Sequence, residues 1–273
     1  MLAGYESCLV AYSGGVDSVL LAAMANKILG PRSLAVIADS PSLPRRELQE
    51  ALDIARRFNI PVRVTRTSEF DNPNYLANPV NRCYFCKHAL FTELEPIAKA
   101  EGFRVIAYGE NASDLGDHRP GATAAAEFQI RAPLKEAGLT KNEIRELSTR
   151  LGLPTADKPQ LACLSSRIPY GEAVTPEKLA IIERAEEAIR QLGFKEFRVR
   201  HHQASAGLPL ARIELAPAEM EHFLESGVRE SLAKALQSAG YQHVTLDLLG
   251  YRRGSLLEAA PIHFRPVPTD NHR

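Results

Sequence analysis

The sequence predicts an α/β protein in which a parallel sheet covered by helices on both faces is followed by a smaller α+β domain. Three observations lead there. Over residues 1–151, short apolar runs alternate with helical patterns, the order expected of βαβ units. A glycine pair stands directly between the first run and the first helix. After Gly152 the texture changes to a proline-bearing loop, and then to a second, shorter set of strands and helices.

Residues 8–12 read as a short buried strand, and 17–28 as a helix that Gly30-Pro31 stops. Residues 33–38 form the next strand, 45–58 a helix and 62–66 a third strand. Residues 89–100 are helical, 104–108 make a fourth strand, and 141–151 one further helix. Beyond the loop at 152–175, a helix begins at Pro176. Strands follow at 197–200 and 211–215, helices over 218–236, and a strand at 244–248. The expected domains are therefore 1–170 and 171–260, with a flexible tail at 261–273.

The bulk numbers narrow the function classes. A chain of 273 residues holds one large domain or two ordinary ones. With 45% apolar and 24% charged residues it has the composition of a soluble globular protein. Lys+Arg and Asp+Glu are equal at 33 each, so the net charge is zero, which argues against nucleic-acid or membrane partners. No apolar run approaches the ~20 residues of a membrane span. Residues 1–7 lack the basic stretch and apolar core of a signal peptide, so a cytoplasmic location is expected. In that compartment four cysteines are chemical or buried rather than disulfide-bonded.

Ser13-Gly14-Gly15-Val16-Asp17-Ser18 lies between the first strand and the first helix. The glycines let the backbone approach an anion closely, and the loop's N–H groups and the helix N-terminus then face a phosphate. Ser13 and Ser18 add hydroxyls. The Gly-Lys-Ser/Thr ending of a Walker A loop is missing. The bland alternative is a Gly-Gly turn with Asp17 as a helix cap. The six residues together resemble the PP-loop of GMP synthetases, NAD synthetases and tRNA-thiolating enzymes. That resemblance implies a Rossmann-like ATP pyrophosphatase domain, which cleaves ATP to AMP and pyrophosphate through an adenylated substrate. Parallel sheets bind ligands outside the carboxyl ends of their strands. Asp39 then falls at an adenosine contact, and Gly109, Glu110, Asn111 and Asp114 beside the site. Asp17 and Asp114 are the candidate Mg²⁺ carboxylates, since Mg²⁺ commonly uses one or two carboxylates plus phosphates. A solvated cap in a turn is the other reading of Asp114.

Several stretches together resemble one branch, the LarE family of sulfur transferases. They are Ala38-Asp39-Ser40-Pro41-Ser42-Leu43-Pro44-Arg45-Arg46-Glu47-Leu48, Arg82-Cys83-Tyr84-Phe85-Cys86-Lys87, Tyr108-Gly109-Glu110-Asn111 and Arg119-Pro120-Gly121. They continue with Ala162-Cys163-Leu164-Ser165-Ser166-Arg167-Ile168-Pro169-Tyr170-Gly171, Arg198-Val199-Arg200-His201-His202, Ala211-Arg212-Ile213-Glu214 and Gly250-Tyr251-Arg252-Arg253-Gly254-Ser255. The resemblance implies adenylation of a carboxylate of pyridinium-3,5-biscarboxylic acid mononucleotide and replacement of its oxygen by sulfur. This is a step in making the nickel-pincer nucleotide of lactate racemase. It further implies a homo-oligomer and transient contact with other proteins of that biosynthesis. One departure is visible: the link at 201–210, with Ala-Ser-Ala-Gly, is longer than the family's short His-Gly link.

Cys163 sits in a proline-bearing loop. A thiolate is the reactive form of cysteine, and a neighbouring cation such as Arg167 favours it. In members of the family with only this cysteine, it attacks the acyl-adenylate and surrenders its sulfur, leaving dehydroalanine, and the resemblance offers Cys163 the same role. The bland alternative is a buried inert thiol. Cys83 and Cys86 form a Cys-x-x-Cys pair open to four readings: a structural zinc half-site, a redox dithiol, two unremarkable residues, or a cluster site. With Cys163 they make three thiols, the number that holds a [4Fe-4S] cubane with one iron open in a subset of the family. Cys8 belongs to the first strand and the core.

Arg198 and Arg200 alternate on one strand, and Arg212 and Glu214 on the next, so each pair shares a face. Guanidinium forks match phosphate geometry. The resemblance assigns Arg198, Arg200 and Arg212 to the substrate phosphate, with Glu187 and Glu214 nearby. A solvated charged sheet face is the bland alternative. His201 and His202 point to opposite faces and make poor joint metal ligands. Two other functions remain open from the sequence: a PP-loop tRNA thiolase or amidotransferase, and a non-catalytic adenine-nucleotide-binding protein.

Overall fold

The computed structural model describes residues 1–114, 120–159, 162–204 and 207–252. The expected tail at 261–273, Arg119, and Arg253-Gly254-Ser255 lie outside those residues, as do Ser205 and Ala206 of the long link. The chain forms two compact units. The first comprises Met1–Tyr75 and Asn81–Ala162, and the second comprises Leu76–Val80 and the chain from Cys163 onward.

The first unit is built on a four-stranded parallel sheet in the order β3-β2-β1-β4. Its strands are β1 (Cys8–Ala11), β2 (Ser33–Asp39), β3 (Val62–Arg66) and β4 (Val105–Tyr108). The helices between and after them are α1 (Val16–Leu29), α2 (Arg45–Arg57), the one-turn α3 (Pro73–Leu76), α4 (Arg82–Glu101), α5 (Pro120–Glu127), the one-turn α6 (Pro133–Glu136) and α7 (Lys141–Arg150). Every residue of β1 is buried, which a strand covered on both faces by helices requires. One apolar cluster gathers Val10, Val19, Leu21, Ile37, Ala51, Ala55 and Ile144. Another, containing Leu9, Val36, Phe91, Leu94 and Ala124, packs α4 and α5. The Cys8 thiol is fully buried, and burial pushes it up to about 12, so it is an inert core residue.

The expected helix at 89–100 is corrected: α4 begins at Arg82. Arg82-Cys83-Tyr84-Phe85-Cys86 carries no helical apolar period, so the start was not legible. Tertiary contact decides it, since Arg82 at the start of the helix is buried. Cys83 and Cys86 therefore stand three apart on one helix face. The boundary expected after Tyr170 also moves. Leu164, Ser165 and Arg167 are buried with the second unit, which begins at Cys163.

The second unit carries the sheet β5 (Phe197–Gln203), β6 (Pro209–Leu215) and β7 (His243–Leu246), with β5 and β6 antiparallel and β6 and β7 parallel. Helix α8 (Pro176–Gln191), the short α9 (Met220–Leu224) and α10 (Val228–Ala239) complete it. The alternating pattern sends Phe197, Val199, Ala211, Ile213 and Leu215 into a core with Ala185, Ile189, Leu232 and Leu236. His201 belongs to that inward face, where its Nδ1 lies 3.2 Å from the Tyr241 hydroxyl. Burial, helped by Lys178 and His202, pushes its imidazole down to about 4.

The folded protein therefore keeps His201 neutral where an unfolded chain would protonate it. Stability is expected to fall as the pH drops from the ordinary imidazole value of 6.5 towards 4, and to be level on this account above that window. Burial and the neighbouring arginines also lower the His202 imidazole, which adds in the same direction. Urea unfolding at stepped pH tests this. His201→Gln should flatten the slope, and a variant with the native slope would exclude His201 as its source.

Candidate functional site

In the first unit the site forms where β1 gives way to α1. Gly14 turns the chain at φ 72°, and a Cβ there would stand 2.6 Å from the Ala51 Cβ of α2. Only glycine fits both the conformation and the space. Gly15 precedes α1 and offers no side chain to cap it, so the helix start is left for an anion. The two hydroxyls are wired together. Ser18 Oγ donates to the Gly15 carbonyl at 3.1 Å and accepts from the Ser13 N–H at 3.1 Å. Since that spends the one Ser18 proton, the Ser13 hydroxyl donates across the 3.1 Å contact between them.

The chain after β4 lies on the first turn of α1. A Cβ on Gly109 would come 2.9 Å from the Ser18 nitrogen. This close approach delivers Asn111, whose Nδ2 donates to Asp17 Oδ1 at 3.0 Å. Its backbone N–H donates to Asp114 Oδ2 at 3.1 Å, so Asn111 joins the two expected magnesium carboxylates. Asp17 Oδ2 also pairs with Lys141 Nζ at 2.5 Å. Lys141 is the first residue of α7, which a capping box of Thr140 and Glu143 starts. Lys135 pairs with Glu110 at 3.1 Å. Asp39 ends β2 as expected, and its carboxylate is held by Arg45, which also donates to the Ser40 carbonyl at 2.7 Å. Lys141 and Lys135 were missed in the sequence, because no motif links residues 13–18 to a helix start so far along the chain. The donors and carboxylates present fit magnesium-bound phosphates: Asp17 and Asp114 would share the ion with phosphate oxygens, and Ser13, Gly14, Gly15, Val16 and Ser18 would face the phosphates.

In the second unit a 3₁₀ turn, Leu164–Arg167, follows Cys163. Arg167 is 2% exposed and holds Glu186 of α8 through two bonds, Nε to Oε1 at 2.9 Å and Nη2 to Oε2 at 3.1 Å. Its Nη1 donates to the Cys163 carbonyl at 3.0 Å and to Ser166 Oγ at 2.9 Å. Glu186 Oε1 also accepts the Val199 N–H of β5 at 3.2 Å. Burial opposes both charges, but their mutual attraction outweighs it. Arg167 is raised above its ordinary value, with Cys163 and Tyr251 adding to the effect of Glu186, and the Glu186 carboxyl is lowered. Arg200 bonds Glu214 at 2.8 Å and donates to the Ser166 carbonyl at 2.8 Å. Glu214 in turn meets Arg212 at 3.1 Å, and Arg212 pairs with Asp247.

Arg198 differs from these. Among the described residues it has no salt-bridge partner. Its guanidinium lies 4.9 Å from the centroid of the Tyr251 ring, and Nη1 donates to the Phe197 carbonyl at 2.6 Å. Burial, then the positive charges of Arg167 and Arg200, lower its pKa from the ordinary value. Tyr251 and the buried Glu186 carboxylate act in the opposite direction.

A family model described as NAD synthase matches residues 2–72, the stretch that carries the phosphate loop and the first three strands. An uncharacterized protein of Synechocystis is 46% identical over 92% of this chain and 92% of its own length. Pyridinium-3,5-bisthiocarboxylic acid mononucleotide synthase of Lactiplantibacillus plantarum is 35% identical over 90% of this chain and 87% of its own. The chain belongs to the LarE family. An uncharacterized protein of Methanocaldococcus jannaschii, 28% identical over 90% of this chain and 91% of its own, extends the likeness. Within the LarE family this chain is an ATP-dependent sulfur-transferring enzyme of the PP-loop type.

Against that family pattern, the sheet register brings Arg198, Arg200, Arg212 and Glu214 to one face, with Arg198 opposite Glu214 and Arg200 opposite Arg212. Glu187 is not brought there: it pairs with Arg190 at 3.0 Å, and its neighbour Glu186 is the buried carboxylate. One residue along a helix turns the side chain by about 100°, so the sequence could not choose between them. Arg167 is placed on Glu186, on the Cys163 carbonyl and on Ser166 Oγ. Cys8 is buried, Cys83 is exposed, and Cys86 and Cys163 are half-buried. Among the described residues no group of three or more His, Cys, Asp or Glu side chains is placed to hold a metal ion.

Two outcomes follow for the arginines. Arg198→Gln should leave the melting temperature level or raise it, since it removes a half-buried charge that has no salt-bridge partner. Arg200→Ala takes one of two guanidinium partners from the fully buried Glu214, and should destabilise by roughly 1.5–3 kcal/mol. Thermal melts of both variants distinguish an anion-binding arginine from a structural one; the reverse order would overturn the assignment.

Proposed function

We propose that this chain adenylates a carboxylate of pyridinium-3,5-biscarboxylic acid mononucleotide and exchanges its oxygen for sulfur, in nickel-pincer nucleotide biosynthesis and hence lactate racemase maturation. The observation that carries the proposal is Arg198, a half-buried cation without a salt-bridge partner among the described residues, in the unit that also presents Cys163. An anionic nucleotide supplies the missing charge, and the second relative named above is a synthase of the corresponding bisthiocarboxylic acid mononucleotide.

The phosphate loop orients ATP. Magnesium, when bound, neutralises the phosphate oxygens and the departing pyrophosphate. Asp17 and Asp114 would hold it, and Asn111 keeps both carboxylates in place. The substrate carboxylate attacks the α-phosphorus, giving acyl-adenylate and pyrophosphate. The Cys163 thiolate then attacks the acyl carbon, releases AMP and forms a thioester. Loss of the cysteine α-proton with cleavage of the Cβ–S bond gives the thiocarboxylate and leaves dehydroalanine, so each chain acts once. The three thiols Cys83, Cys86 and Cys163 also suit the donor chemistry of a [4Fe-4S] cluster, which would supply an exchangeable sulfide and allow repeated turnover. The i,i+3 spacing of Cys83 and Cys86 on α4 supports this second source. We further read the chain as a cytoplasmic homo-oligomer that meets other proteins of the same biosynthesis transiently.

Asp17→Ala is expected to abolish pyrophosphate release while the fold persists; normal AMP formation would remove ATP chemistry from this loop. Intact mass after anaerobic turnover decides the sulfur source. A loss of one H₂S at Cys163, with Cys83→Ala and Cys86→Ala still active, supports sacrifice. Unchanged mass, bound iron, and loss of that iron in each cysteine variant support the cluster. Thiocarboxylate formation by Cys163→Ala would exclude both.

A further inference from the structure

The loop from Cys163 to Gly171 is pinned at two ends, and only one of them is accounted for. At its start, Arg167 of the loop itself, anchored on Glu186 of α8, holds the Cys163 carbonyl, and Arg200 of β5 holds the Ser166 carbonyl. At its end stands Asn78, a residue far away in sequence and fully buried. Asn78 Nδ2 donates to the Pro169 carbonyl at 2.7 Å and to the Ile168 carbonyl at 3.2 Å. The Asn78 carbonyl accepts the Gly171 N–H at 3.0 Å, and the Leu76 carbonyl accepts the Val174 N–H at 2.9 Å. Segment Leu76–Val80 thus runs alongside the chain that follows Cys163, which is why it belongs to the second unit.

Asn78 adopts this role in an uncommon conformation. Its φ is 54°, in the left-handed region where residues other than glycine are rare and asparagine is the least penalised. Glycine would take that conformation at no cost, but has no amide. Aspartate would tolerate it, but its ionised carboxylate would face two carbonyl oxygens. The side chain that accepts the conformation and also gives two N–H donors is asparagine. Backbone strain kept at a fully buried position, beside a reactive segment, points to a positioning role.

We infer that Asn78 is a positioning residue for the sulfur-transfer step: its amide clamps Ile168 and Pro169 so that the Cys163 loop keeps one conformation. The inference rests on the reading of Cys163 as the sulfur-handling thiol. The clamp itself can be measured without that reading.

Asn78→Gly keeps the backbone conformation and the Gly171 N–H bond and deletes the side-chain amide with its bonds to Ile168 and Pro169. Hydrogen exchange by mass spectrometry should show the loop amides of Ser166 and Ile168 exchanging about tenfold faster, the size expected for losing two buried hydrogen bonds. Amides of Tyr12 and Val19, which belong to the first unit, should be unchanged. ATP affinity and pyrophosphate release should persist while thiocarboxylate formation falls by a similar factor. Asn78→Asp provides the second variant. Its carboxyl can donate only when protonated, so loop protection should return as the pH is lowered, a reversal that a packing defect does not produce. Native exchange in the glycine variant, or no pH rescue in the aspartate variant, overturns the clamp. Faster exchange with undiminished thiocarboxylate formation would keep the clamp but remove it from catalysis. If Cys163→Ala also stayed active, the fault would lie in the reading of Cys163.

Discussion

One carboxylate holds the second unit's chemistry in place. Glu186 takes both arms of Arg167 and the Val199 N–H of β5, so a helix, a strand and the turn after Cys163 meet on two oxygens. Burying two charges costs several kcal/mol per ion, and only near-ideal geometry offsets it. Here the fork is two-pronged, and the remaining guanidinium nitrogen reaches the Cys163 carbonyl. That carbonyl accepts from the Ser166 N–H and hydroxyl as well, at 3.0 and 2.7 Å. Cys163 is thereby held through its main chain, and its side chain is left half-exposed.

A consequence of this pairing is the state of Arg198. Arg167, Arg200 and Arg212 are matched by Glu186, Glu214 and Asp247, and Arg198, which feels Glu186 only through space, has no salt-bridge partner among the described residues. The proposed ligand anion would meet that arginine.

The first unit reaches its purpose by other physics. Its site is made of backbone and empty space: Gly14 against Ala51, and Gly109 against the start of α1. The absence of two side chains brings three distant segments within hydrogen-bond range of one helix turn. The hydroxyls of Ser13 and Ser18 bond each other, and the Asp17 carboxylate is held by Asn111 and Lys141, so the site is ordered before any nucleotide arrives. In both units preorganisation comes from contacts between residues apart in sequence.

Much of this was legible in the sequence. Apolar runs alternating with helices implied the parallel sheet, because strands covered on both faces must be apolar throughout. The loop Ser13-Gly14-Gly15-Val16-Asp17-Ser18 raised the expectation of a phosphate site, because glycines, hydroxyls and a helix start after a strand suit an anion. Alternation placed Arg198 with Arg200 and Arg212 with Glu214, since the period of a strand is fixed by its pleat. Tertiary structure alone decided the start of α4 at Arg82, the choice of Glu186 over Glu187, the place of Lys141 on Asp17, and the return of Leu76–Val80 to the second unit. Those depend on which face of a helix is buried and on which distant segments pair. Local residue patterns carry the period of an element, but its phase against the rest of the molecule is settled only by packing and by the partners that buried charges find.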